Sequence, residues 1–216
     1  MIATCVIELS LLAYTLWRYK LSSFTRLSVL LLFFLAVFQL AEFRVCTGSI
    51  NGAFWSHIGY VAITLLPPLG IHALSVLRGK SSKILVLTAY ATSACFVAYF
   101  ALHAGSLTGH ACLGNYIMFQ VNESATWLYA VYYYGWVIMG TLLGWLWAKE
   151  STQKIRRQAL NGFAWGFAAF LIPTTTVNLL NPTTTNGIPS IMCGFAVLFA
   201  LILSLWVMPR AAALRS

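Results

Sequence analysis

Along this chain, long apolar runs alternate with short polar interruptions. Seven runs stand out, at about residues 2–19, 25–43, 55–77, 84–104, 127–148, 158–180 and 188–208. Each approaches the roughly 20 residues that carry an α-helix across the ~30 Å hydrocarbon core of a bilayer. A membrane barrel would need strict alternation over segments about half as long, and aromatic and polar residues break that alternation here. The pattern predicts an all-α fold, with residues 1–216 forming one bundle of seven transmembrane helices. The loops are short. The run Lys149–Arg157 and the tail "PRAAALRS" are too brief for a kinase, cyclase or nuclease domain, so none is expected. Only the stretch from Gly105 to Thr126 is sizeable.

Composition agrees with that reading: 60% of residues are hydrophobic and 8% charged. The net charge of +9 would suggest nucleic acid in a water-soluble protein, but its placement excludes that partner. Every basic residue except Arg44 flanks the connections 1–2, 3–4 and 5–6 or follows the last run. By the positive-inside rule the N-terminus lies outside and the C-terminus in the cytoplasm. The start, "MIATCVIELS", has no basic n-region and carries Glu8, so a retained first helix is expected rather than a cleaved signal. The bilayer is the first partner. The basic inner loops are the expected dock of a cytoplasmic signalling partner, and a homo-oligomer is compatible with the pattern.

Local punctuation adds detail. "GTLLG" (Gly140, Gly144) and "GFAWG" (Gly162, Gly166) place small residues four apart, as at close helix seams, inside the bundle rather than on a dimer face. Pro67 and Pro68 in the third run and Pro173 in the sixth each free a backbone carbonyl, so kinks are expected there. Thr174, Thr175 and Thr176 are suited to satisfying such groups. A duplicated helix triplet is not visible.

The chemistry gathers at one level. With the orientation above, Gln39 and Glu42 share a face near the outer end of the second helix, and Glu8 lies about two turns inside the first. His57 and Tyr60, Thr174 and Asn178, His103, Cys193 and the tyrosines of "LYAVYYYGW" bring polar groups from the other helices. Ionisable groups within a membrane are costly and usually mark function. The expected site is an outward-facing ligand pocket of Glu8, Gln39, Glu42, His57, Tyr60, Thr174, Asn178 and Cys193. The alternative for Glu42 is a headgroup cap or a pair with Arg44. Cys46 and Cys112 both fall in outer segments, where a disulfide can form. A metal reading would draw on His103, His110 and Cys112 with His57 or Glu42, but no two have zinc-like spacing. No metal and no cofactor are expected. "NES" at Asn122–Ser124 fits an acceptor sequon.

"PSIMCGFAVLFALILSLWV", "FQLAEF" and "LPPLGIHAL" resemble a family of uncharacterised bacterial seven-helix membrane proteins. That family carries Gln-x-x-Glu at the end of helix two and Ser-x-x-Cys opening the last helix. Here these fall on Gln39, Glu42, Ser190 and Cys193, with Phe43 where the family usually has glycine. The resemblance implies the fold and a bacterial inner-membrane location, but no activity. The layout is also loosely similar to the seven-helix sensory modules of bacterial histidine kinases.

Several enzyme classes are disfavoured. No lysine lies within the seventh helix to hold retinal, and the chain has no aspartate for an aspartyl intramembrane protease. A lipid hydrolase of the seven-helix metal type would need Asp and His-x-x-x-His. Ser190 with His57 or His103 lacks a nucleophile motif. The expectation is a membrane sensor or ligand-binding module acting through a partner. A small-solute transporter ranks second and an accessory subunit third, ahead of any enzyme.

Overall fold

Polar caps and glycines set several helix ends. Ser22 accepts from the Thr25 N–H at 3.1 Å and opens the second helix. Gly79, at φ 79°, closes the helix that ends at Arg78 in the left-handed conformation that glycine adopts freely. The computed structural model describes residues 1–48, 51–80, 82–113, 116–180 and 188–214. The side chains of Leu113, Tyr116, Met118, Glu123, Ser124, Ile188, Pro189, Ser190 and Cys193 lie outside that description.

The elements are α1 (Ile2–Arg18), α2 (Ser23–Cys46), α3 (Gly52–Thr64), α4 (Leu66–Arg78), α5 (Lys83–Leu102), β1 (Leu107–Leu113), β2 (Tyr116–Val121), α6 (Glu123–Glu150), α7 (Lys154–Leu180), α8 (Ile188–Leu201) and α9 (Met208–Ala213). A short 3-10 turn, Ala104–Ser106, precedes β1, and a π-helical segment, Ile202–Val207, joins α8 to α9. Five segments are long and apolar enough to cross a membrane: Ser23–Cys46, Gly52–Arg78, Lys83–Leu102, Lys154–Leu180 and Gly194–Ala213. They are not equivalent. Gly52–Arg78 is the most deeply buried, whereas α5 is peripheral, with Ile84, Leu87 and Leu102 exposed. Exposed apolar side chains of this kind fit lipid contact.

The expected single helix over 55–77 is two, broken at Leu65. Pro68 has no N–H to give the Thr64 carbonyl, so that oxygen is released from the helix ladder. Tyr132 of α6 donates to it at 2.7 Å, and Ser93 of α5 at 3.2 Å. The Thr64 hydroxyl donates to the Tyr60 carbonyl at 2.6 Å and meets the Tyr129 hydroxyl at 3.1 Å. One broken turn is thereby bonded to two neighbouring helices. Pro173 behaves differently, because α7 runs through it unbroken. Thr174, Thr175 and Thr176 bond the carbonyls of Phe170, Leu171 and Ile172, each four residues back.

Both glycine pairs face inward. A Cβ on Gly144 would meet Ala164 at 2.8 Å, and one on Gly140 would meet Phe167 at 2.6 Å. Gly162 and Gly166 face Trp206 and Phe199 in the same way. These residues let α6, α7, α8 and the π-helical segment approach closely, and so form an internal seam.

The large loop contains a hairpin that the helical reading did not include. β1 and β2 pair antiparallel, with His110 opposite Phe119 and Cys112 opposite Ile117. The period of two puts Ile117 and Phe119 on one face, both fully buried, while Gln120 is exposed. Phe119 packs against Phe38 of α2 and Tyr60 of α3, and β2 also touches α8. The hairpin therefore covers one end of the bundle, with the basic connections at the other.

Candidate functional site

At the hairpin end, α1 and α2 pack side by side, and the polar residues of α2 lie on the packed face. Gln39 and Glu42 are three apart, so both turn inward, at 2% and 1% exposure. Glu8 of α1 is fully buried. Its carboxyl is close enough to Glu42 and to the Met1 amine for their charges to act on it. The Thr4 hydroxyl lies 2.9 Å from Gln39 Oε1 and also within reach of the Met1 carbonyl. Cys5 Sγ points to the Ala36 carbonyl at 3.5 Å. Among the described residues neither oxygen of Glu8 has a hydrogen-bond partner. Such a group is conspicuous, because a buried carboxyl is normally paired or hydrogen-bonded.

Glu8, Gln39 and Glu42 are thus brought together between α1 and α2. Tyr60 is fully buried within a ring cluster of Phe100, Phe119 and Tyr129. His57 is half-buried, and its Nδ1 lies 2.6 Å from the Phe100 carbonyl, tying α3 to α5. Thr174 spends its hydroxyl on its own helix. Asn178 Nδ2 donates to the Tyr134 hydroxyl at 3.1 Å, joining α7 to α6. The side chains of Cys193 and Ser190 fall outside the described residues, so the Ser-x-x-Cys element has no structural account. The arginine expected as an alternative partner for Glu42 is placed elsewhere, with the Arg44 guanidinium 5.5 Å from the Trp55 ring centre.

Cys46 and Cys112 are bridged, Cα to Cα 5.8 Å, fastening the end of α2 to β1. This overturns the metal alternative in the form given above, because a bridged Cys112 has no thiolate to offer. Among the described residues no group of three His, Cys, Asp or Glu side chains could hold a metal ion.

Sequence reading missed Thr4 and Ser93, and it counted Tyr132 among the polar tyrosines of α6 without its partner. Thr4 stands one turn before Glu8 on the same face, a spacing that was available. For the partner of Ser93 and Tyr132 no local signal existed, since it is a carbonyl on another helix.

At the other end, Arg78 pairs with Glu150 at 2.9 Å and lies over the Trp147 ring. Beside them is an open groove of about 300 Å³ lined by Lys80, Thr152 and Arg156 among others. A second groove of about 690 Å³ is lined by Arg18, Lys20, Ser22 and Pro209 among others.

The apolar spans and the helical architecture define a helical membrane protein. No protein-family model, curated protein or solved structure matches the chain.

Proposed function

We propose that this chain is a seven-span membrane sensor or ligand-binding module, with an outward-facing polar pocket at the hairpin end and a signalling partner at the basic end. The observation that carries the reading is the joint burial of Glu8, Gln39 and Glu42 between α1 and α2. Carboxyls at that depth oppose folding, and are kept where they bind or relay something. In this reading the sixth and seventh spans are α1 and α6. The 17 residues of α1 are at the lower end of the spanning range. α6 has 28 residues, rich in tyrosine and tryptophan. Two observations support the orientation. Among the described residues the lysines and arginines other than Arg44 lie at the end away from the hairpin, and the Cys46–Cys112 bridge belongs to an oxidising compartment. A bacterial inner membrane follows from the sequence resemblance alone.

Orientation is tested by impermeant thiol labelling of intact cells, in a background lacking Cys5, Cys95 and Cys193. Ser106 is fully buried, so the reporter belongs at Thr108, which is exposed, with Thr152 at the basic end. Thr108→Cys is expected to label and Thr152→Cys to stay protected until the cells are opened. The reverse pattern would remove the outward pocket. A small-solute transporter is the second reading, favoured by the broken helix at Leu65 and the π-helical segment, since transporters build sites at interrupted helices. Flux into proteoliposomes separates the two, because a sensor binds its ligand without moving it.

A further inference from the structure

We propose that Glu8 and Glu42, with Gln39 and Thr4, bind a small hard cation of the alkali or alkaline-earth class in exchange for carboxyl protons. The proposal rests on the ligand-pocket reading and names the class of ligand. It starts from Glu8, whose two oxygens are buried and, among the described residues, without hydrogen-bond partners. A carboxylate buried without hydrogen bonds, on a helix packed against one that buries a second carboxylate, is costly to keep. Protonation removes the charge but not the difficulty. The new O–H can be given only to a nearby acceptor such as the Glu42 carboxyl, and the other Glu8 oxygen still has no donor among the described residues. A cation seated against the carboxylates removes both deficits at once, with the displaced protons leaving to solvent.

The donors fix the kind of cation. Carboxylate oxygens dominate, joined by Gln39 Oε1 and Thr4 Oγ1, which keep lone pairs beyond their mutual hydrogen bond. The nearby sulfur of Cys5 is directed to the Ala36 carbonyl. An all-oxygen set suits Na⁺, K⁺, Mg²⁺ or Ca²⁺ rather than a soft transition metal. Competing charges are few. The groups acting on Glu8 are Glu42 and the Met1 amine. Besides α2, α1 packs against α8 and the π-helical segment, where residues 188–207 carry no Asp, Glu, Lys, Arg or His and Cys193 is the only cysteine. Arg44 is turned to Trp55.

The test uses the full chain purified in detergent. Thermal unfolding is followed in choline chloride and in the chlorides of Na⁺, K⁺, Mg²⁺ and Ca²⁺ at matched ionic strength, from pH 6 to 8. At least one metal cation is expected to raise Tm by about 5 °C or more at a hundredfold excess over its Kd. The half-saturating concentration should rise up to about tenfold per unit fall in pH for each proton displaced. In weak buffer, adding that cation to the unaltered protein should release protons to an indicator dye. Glu8→Gln and Glu42→Gln keep the side-chain shape, and the double variant should fold yet lose both responses. A Tm indifferent to every metal cation relative to choline, binding without proton release, or a response surviving in the double variant would overturn the proposal. Labelling at Thr108 fails or succeeds independently. A cation response with reversed orientation would keep this site and remove only the outward pocket.

Discussion

Thr64 shows how one missing N–H organises its neighbours. Pro68 leaves the Thr64 carbonyl without its helical donor, and Tyr132 and Ser93 replace it from two other helices. A carbonyl oxygen has two lone pairs, and both are used. We predict that Tyr132→Phe alone costs about 1 kcal/mol, since Ser93 remains as donor. Adding Ser93→Ala should bring the loss to about 1–3 kcal/mol, by leaving a buried acceptor unpaired. Thermal unfolding in detergent reads both, and a double variant no weaker than the single would show that these hydroxyls do not hold the break. The prolines made the break legible in the sequence. The donors were not legible, because they lie 29 and 68 residues away.

The hairpin is the element whose placement matters most for the site. It reads as a strand pair once the alternation in "YIMFQV" is noticed: Ile117 and Phe119 go inward. The apolar content of the flanking spans hid that short period. The bridge from Cys46 closes a separation of 66 residues, and constraining a loop of that size typically contributes about 2–4 kcal/mol. Cys112→Ser is therefore expected to lower thermal stability by about that amount, and a reductant should reproduce the effect on the unaltered chain. Cys112 is exposed, so reduction needs no prior unfolding. A reduced protein as stable as the oxidised one would show that Ile117 and Phe119 alone hold the hairpin down.

For the molecule as a whole, the central layer decides the packing. Leu31, Leu35, Leu66, Pro67, Tyr133, Val137, Phe167, Phe170, Met192, Ala196 and Phe199 meet there around a void of only about 20 Å³. Phe167 is its keystone. It stacks on Phe199 with centroids 5.3 Å apart, and it occupies the space that Gly70 and Gly140 leave open. Lipid tails are as apolar as these side chains, so fit rather than hydrophobicity holds such a layer. Phe167→Ala is expected to cost about 3–5 kcal/mol, seen as a large fall in the detergent melting temperature. A small change would mean that the surrounding helices collapse into the space. This apolar, tightly packed layer lies between the polar end and the basic end, and a transporter must breach it where a sensor need not.

The sequence by itself determined the features that depend on neighbours along the chain. Run length and composition gave helical spans, Pro67 and Pro68 gave the break, and the four-residue glycine spacing gave close seams. Cys46 and Cys112 were legible as a pair because few cysteines lie in the outer segments. Gln39 and Glu42 shared a face by helical periodicity alone. Only the tertiary structure decided that Glu8 joins them, that Arg44 turns to Trp55, and that His57 and Asn178 bond α5 and α6. The reason is physical. Periodicity fixes the direction of a side chain around its own helix, but the rotation and depth of the facing helix come from packing summed over the whole bundle.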